Sequence, residues 1–334
     1  MYIHAASAIS PQPVFRQTGL LSTPIALTGN RYTCTEPDYT LLIEPKLIRR
    51  MSRIIRMGVA TAMDALLQAG LKDPSAILTG TAYGCLEDTG IFLKRLVENK
   101  EEMLTPTAFI QSTHNTVGAQ VALLLKCHSY NNTYVQRGHS FESALLDTWL
   151  LLKEDSTANV LVGAADETTN ESFTLLERFG LFRQQASGEG ACYFVAGAKQ
   201  QAGSMAKFGG LKTLFQPEEL AVGDAISDLL QDNNLSASSV DLVLSGRSGA
   251  DEQDVFYGMV EKAVFSATPV GYFKSLCGEY PTASAFALWL AANCLQQQLV
   301  PPVLVPEFSG PLRNILIYTK DDIGYHSIML LMAC

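Results

Sequence analysis

Leu66-Leu-Gln-Ala-Gly-Leu-Lys-Asp-Pro-Ser-Ala-Ile-Leu-Thr-Gly-Thr-Ala-Tyr-Gly84 decides the fold, because a second stretch follows the same plan. That stretch is Leu229-Leu-Gln-Asp-Asn-Asn-Leu-Ser-Ala-Ser-Ser-Val-Asp-Leu-Val-Leu-Ser-Gly-Arg-Ser-Gly249. Each reads as a helix end, a turn, and a buried strand running into small residues. Farther along, Phe109-Ile-Gln-Ser112 leads into an apolar helix at 117–125, and Tyr272-Phe-Lys-Ser275 into another at 283–295. Leu67 and Leu230 are 163 positions apart, and so are Ser112 and Ser275. Two matching spacings predict an internal duplication. Its halves are placed at 1–200 and 201–334, joined through the Gln, Gly, Ser and Ala of 200–212. The period is too long for a solenoid. Each half closes with two strand-like runs: 159–163 and 191–195 in the first, 314–318 and 326–331 in the second. Strands alternating with helices predict an α/β layered fold. The two Ala-rich helices at the repeat centres are apolar nearly all round and are expected to lie buried between two sheets.

The chemistry turns on Asn132-Thr-Tyr-Val-Gln-Arg-Gly-His-Ser-Phe-Glu-Ser-Ala-Leu-Leu-Asp147. A β-favouring run, 132–136, meets Gly138 and then a helical apolar pattern. This is the form of a strand-to-helix elbow, where a nucleophile stands at a helix N-terminus among backbone N–H groups.

Composition excludes several classes. The 334 residues carry a net charge of −9, with no Lys/Arg-rich run, so nucleic acid is not an expected partner. No apolar stretch reaches the roughly 18 residues of a membrane span, and the N-terminus lacks a basic leader region. Seven scattered cysteines without a C-x-x-C pair point to reduced thiols and a cytoplasmic location. No two of the five histidines are spaced as metal ligands, so no metal is expected.

The chain resembles the β-ketoacyl-acyl-carrier-protein synthases of the thiolase-like superfamily. The resemblance rests on the order of Arg49-Arg-Met-Ser-Arg53, Gly80-Thr-Ala-Tyr-Gly84, Ser112-Thr-His-Asn115, Val160-Leu-Val-Gly-Ala-Ala-Asp-Glu167, Gly188-Glu-Gly-Ala191, Phe273-Lys-Ser-Leu-Cys-Gly278 and the Gly324 region. It implies a five-layered αβαβα fold. It also implies a cysteine nucleophile, two histidines and a lysine, with substrate arriving on the phosphopantetheine of an acyl carrier protein and no further cofactor. Matched position by position, Gly138 stands for the cysteine, Ser245 and Glu279 for the histidines, and Lys274 is retained. Glycine cannot be acylated. The resemblance therefore implies a degenerate member, akin to chain-length factors that pair with an active ketosynthase in fatty-acid or polyketide assembly, such as aryl-polyene or flexirubin-type pathways. It also implies a dimer paired along the strand at 132–136, with itself or with the ketosynthase, and carrier docking at Lys46, Arg49 and Arg50.

Other readings of the same residues remain. Gly138-His-Ser-Phe-Glu142 resembles the G-x-S-x-G elbow of α/β-hydrolases, with Ser140 as nucleophile and Asp321 or Asp322 and His326 downstream in the Ser–Asp–His order. Against it, Glu142 stands where a small residue is needed, and a duplication has no place in that fold. A homodimer that only binds an acyl carrier is a further possibility. Lys274 and Glu279 could form an ion pair or stand solvated at the pocket rim. Lys46, Arg49 and Arg50 could be no more than a solvated helix face.

Overall fold

The computed structural model describes residues 1–17, 19–249 and 251–334, the side chains of 251–253 excepted. The first half holds β1 (Tyr2–Ile9), α1 (Pro45–Ile48), α2 (Arg53–Ala69), β2 (Ala76–Gly80), α3 (Leu86–Glu98), α4 (Pro106–Gln111), α5 (Thr116–Leu125), β3 (Tyr130–Tyr134), α6 (Ser140–Glu154), β4 (Asn159–Asp166), α7 (Asn170–Arg178) and β5 (Gly190–Gly197). The second holds β6 (Ala206–Phe215), α8 (Glu219–Gln231), β7 (Leu242–Ser245), α9 (Asp251–Val264), β8 (Val270–Tyr272), α10 (Lys274–Cys277), α11 (Ala283–Gln297), β9 (Asn314–Lys320) and β10 (Tyr325–Met332).

The strands run in the order β3-β2-β4-β5-β1-β6-β10-β9-β7-β8. Read inward from either edge, the sequence of partners is the same. The outer two pairings are parallel and the next two antiparallel. The halves meet where β1 touches β6 through Tyr2–Lys207 and Ile3–Ala206. The two quoted stretches thus occupy one topological place: α2 leads into β2 as α8 leads into β7. Gly70 ends α2 in the left-handed conformation, φ +63°, which a glycine adopts without a Cβ penalty. β4 and β5 are buried along nearly their whole length, as strands covered on both faces must be.

Three apolar cores separate five layers. One lies between α2 with α5 and the first-half strands. Another lies between α8 with α9 and the second-half strands. The largest holds α6 and α11 between the two half-sheets, where α11 touches β1, β5, β6, β9 and β10.

The second of the two spacings misleads. α11 follows β8, so its counterpart is α6, which follows β3. The helix at 117–125 precedes β3, packs on α2 in an outer layer, and leaves Leu123 exposed. Apolar composition is shared by a helix enclosed between sheets and a helix at an uncovered edge, and sequence alone does not separate them.

Candidate functional site

The elbow is present, two residues shorter on its strand side than expected, since β3 ends at Tyr134. Its strained residue is Arg137, with φ +48°, and not Gly138. A side-chain-bearing residue held at positive φ costs about 1–2 kcal/mol and marks the apex of such a turn. The Arg137 side chain is exposed. Gly80 supports the turn from β2: a Cβ there would lie 2.7 Å from the backbone of Ser140 and Phe141. Whether the apex is taken as Arg137 or Gly138, no thiol stands on it. Cys192 and Cys277 are buried, and burial pushes both thiols up.

Ser140 closes the elbow. Its hydroxyl donates to the Arg137 carbonyl at 2.8 Å and accepts from the Gln136 N–H at 2.8 Å. The hydrolase arrangement is not assembled. Asp321 Oδ1 accepts the backbone N–H groups of Ile323, Gly324 and Tyr325, which shapes the β9–β10 turn. His326 Nδ1 shares a 2.9 Å hydrogen bond with the Tyr318 hydroxyl. Burial first, then Lys320 and His139, lower His326 to about 4, so the ring is neutral near pH 7. His139 is buried and donates from Nε2 to the His326 carbonyl at 2.9 Å.

Ser245 ends β7, fully buried, and donates to Glu261 Oε1 at 2.5 Å. Glu261 is also held by Arg247 at 3.5 Å, and Arg247 donates to the Tyr272 hydroxyl at 3.0 Å. Burial raises the Glu261 carboxyl, partly offset by Ser245 and Arg247. The next residue, Gly246, has no room for a side chain, because a Cβ would lie 2.5 Å from the Tyr257 hydroxyl. Neither position offers a donor to a substrate.

Lys274 and Glu279 form an ion pair, Nζ to Oε2 at 2.5 Å, with side chains 3% and 12% exposed. Lys274 also donates to the Lys320 carbonyl at 3.3 Å. Burial works against both charges. At Lys274 the attraction of Glu279 outweighs it and the ammonium is stabilised. At Glu279 burial prevails over Lys274 and holds the carboxyl up, to about 7. Around the pair, a cavity of about 10 Å³ is lined by Gly138, Ser284, Lys320, Asp321 and Tyr325. Gly138 and Asp321 are in contact: a Cβ on Gly138 would lie 2.6 Å from Asp321 Oδ2. The elbow, α10, the start of α11 and the β9–β10 turn therefore converge on one filled pocket. Arg137, Lys320 and the plugging role of Asp321 carried no motif in the sequence.

Asp166 holds the two halves together beside this pocket. Its Oδ1 accepts from the Thr81 hydroxyl and the Ala82 N–H, and its Oδ2 from the Thr282 hydroxyl of the second half at 2.8 Å. Gly188 supports the same junction, since any side chain there would collide with the Cys277 carbonyl.

Lys46, Arg49 and Arg50 are all exposed around α1, and none forms an ion pair among the described residues. Arg53 differs, bound to Glu36 at 2.6 Å and to buried Glu189 at 2.5 Å. β3 is a sheet edge. Beside it, Leu123 of α5, Leu146 and Leu150 of α6, and Tyr130 and Val135 are exposed. A groove of about 760 Å³ runs between α5 and the edge, past Asn131 to Thr133.

The sheet and its helices form a thiolase-like α/β fold. Residues 30–188 match the family model for the β-ketoacyl synthase N-terminal domain. Solved structures extend the likeness over the whole chain. The ishigamide ketosynthase/chain length factor has TM-score 0.81 and 18% identity, covering 100% of this chain and 98% of that one. A β-ketoacyl synthase from Burkholderia phymatum STM815 has TM-score 0.81 and 15% identity, covering 100% and 99%. The ketosynthase ApeO in complex with its chain length factor ApeC, from Xenorhabdus doucetiae, has TM-score 0.76 and 15% identity, covering 100% and 98%. No curated protein matches the chain in sequence. Among the described residues, no helix is long and apolar enough to cross a membrane.

Proposed function

We propose that the chain is a non-catalytic ketosynthase-like subunit that pairs with an active ketosynthase and acts as its chain-length factor. The observation that carries this reading is the occupied pocket. The elbow holds Arg137 and Gly138, Ser245 is tied to Glu261, and Glu279 is tied to Lys274. Losing one reacting group alone would cost orders of magnitude in rate, and here none of the three positions offers one. The framework around them is fully packed, which favours a retained structural task over decay.

The partner surface is the β3 edge. An unpaired edge strand between exposed apolar side chains invites pairing with a second chain of the same fold. Strand-to-strand association there would bury α5 and α6 with it, an interface of more than roughly 2,000 Å². Expressed alone, the chain would fill this edge with a second copy; in the cell, an active ketosynthase would. Lys46, Arg49 and Arg50, exposed and without an ion pair among the described residues of a chain of net charge −9, suit an acidic acyl carrier protein. Among similar structures, ApeO is a ketosynthase in complex with its chain length factor, and AntDE:AntF is a type II polyketide acyl-carrier protein in complex with its ketosynthase. Aryl-polyene or flexirubin-type assembly is the pathway class we assign, with a cytoplasmic location consistent with seven free thiols.

Co-expression with a candidate active ketosynthase tests the reading. The two should co-purify one to one, and the pair, but not this chain alone, should condense malonyl-carrier with a primer. Condensation by the isolated chain would remove it.

A further inference from the structure

Two charges are taken out of water at the pocket where the family works, and that needs an explanation beyond stability. Burying an ion pair costs several kcal/mol per charge, so a neutral pair of similar volume would hold the fold about as well. What the pair does is fill space between four elements. Lys274 reaches from α10 to Glu279 and to the Lys320 carbonyl. The Tyr257 hydroxyl clamps Lys320 from α9, accepting its N–H at 2.6 Å. Asp321 closes against Gly138. The space left, about 10 Å³, is room for one water at most. Ser284, 2% exposed, lines this pocket from the first turn of α11, with its hydroxyl beside the buried Glu142 carboxyl.

We propose that the Lys274–Glu279 ion pair is a plug that seals the pocket, so that this subunit excludes a thioester-bearing arm from the elbow instead of binding it unreacted. The proposal rests on the partner-subunit reading only for the identity of the excluded arm. A sealed pocket would be found equally in a homodimer.

Acetyl-pantetheine and iodoacetamide are the probes. In Ser284→Cys with the plug intact, alkylation under native conditions should be at least about 1,000-fold slower than at exposed Cys334, because reagent reaches a sealed site only through opening. Adding Lys274→Ala and Glu279→Ala together should raise that rate about 100-fold or more, and the double variant should bind acetyl-pantetheine with NMR shifts at Gly138. Lys274→Met with Glu279→Gln, neutral but of similar volume, should stay closed. Rapid alkylation of Ser284→Cys with the plug intact overturns the proposal even if the double-alanine variant fails to fold. So does acetyl-pantetheine binding at Gly138 of the unaltered chain, or a folded double-alanine variant that admits neither probe. Failure to co-purify with a ketosynthase would leave these results untouched, which separates the two readings.

Discussion

The two edges of the ten-stranded sheet occupy equivalent places in the two halves and are finished in opposite ways. β3 has five residues, leads directly into α6 through a strained elbow, and is flanked by exposed leucines on both layers. β8 has three residues, and α10 with the Gly278 turn separates it from α11. A very short edge strand is a poor template for pairing. The first junction keeps the elbow's shape and offers an edge; the second supplies the charges that fill the pocket. Duplication provided one architecture, and on the proposed reading the two copies of one junction divide recognition and closure between them.

Four measurements break or sharpen this contrast. The largest effect belongs to the second junction. Lys274→Met leaves Glu279 buried without its partner and should destabilise by about 3–5 kcal/mol in urea unfolding. Lys274→Met with Glu279→Gln should regain most of that loss; equal destabilisation by both would mean that the pair's charges are not what the pocket must balance.

At the first junction, Val135→Asp places a charge beside the pairing edge. Dimer dissociation measured by analytical ultracentrifugation should weaken about 100-fold, near 2.7 kcal/mol, while Tyr272→Asp at the β8 edge leaves association unchanged. A stable monomer at micromolar concentration before any substitution would cancel the contrast.

The halves also bury carboxyls differently. Glu279 has a lysine, whereas Glu167 after β4 has the Glu87 N–H. Burial pushes Glu167 up to about 7, against an ordinary 4.5. A raised folded-state value means the folded chain holds the proton that the unfolded chain releases. This contribution is therefore complete below about 4.5 and lost as pH rises through about 7. Glu167→Gln should gain stability over the unaltered chain at pH 8, on the order of 2 kcal/mol, and little at pH 4.5. His326 acts in the opposite sense: its value is depressed, so its contribution is present above its usual 6.5 and fades as pH falls towards about 4. Melting temperature against pH for the unaltered chain and for Glu167→Gln separates the two contributions.

The smallest effect is at the elbow itself. Ser140→Ala removes a hydrogen bond to the Arg137 carbonyl and strands the Gln136 N–H, a loss of about 1–2 kcal/mol in stability. It should alter no covalent chemistry. An acyl adduct seen by intact mass in the unaltered chain and absent in this variant would restore the hydrolase alternative.

The helix-to-strand unit at 66–84 was legible because its punctuation is local: Gly70 stops a helix, and Ala76–Gly80 are apolar or small. Contacts across the molecule were not. The helix at 117–125 reads as enclosed because its composition is apolar nearly all round, although Leu123 on its outer face is exposed. Val135 extends a β-favouring run past the true end of β3, where Arg137 turns the backbone. A serine after Gly-His reads alike whether it attacks a substrate or caps its own turn; only the Gln136 and Arg137 partners decide. Lys274 and Glu279 pair around the Gly278 turn, at φ +77°, a geometry that spacing alone left open.

The contact between Gly138 and Asp321 limits what position 138 can carry. Asp321 cannot retreat without releasing the three N–H groups that shape its turn, and no side chain fits at 138 while it stays. A chance mutation that put a nucleophile back at this position would first meet a clash and then a sealed, ionically filled pocket. On the non-catalytic reading proposed above, the pocket would work as a ratchet: such a subunit could diversify in what it recognises, while a return to chemistry would need changes at position 138 and at Asp321 together.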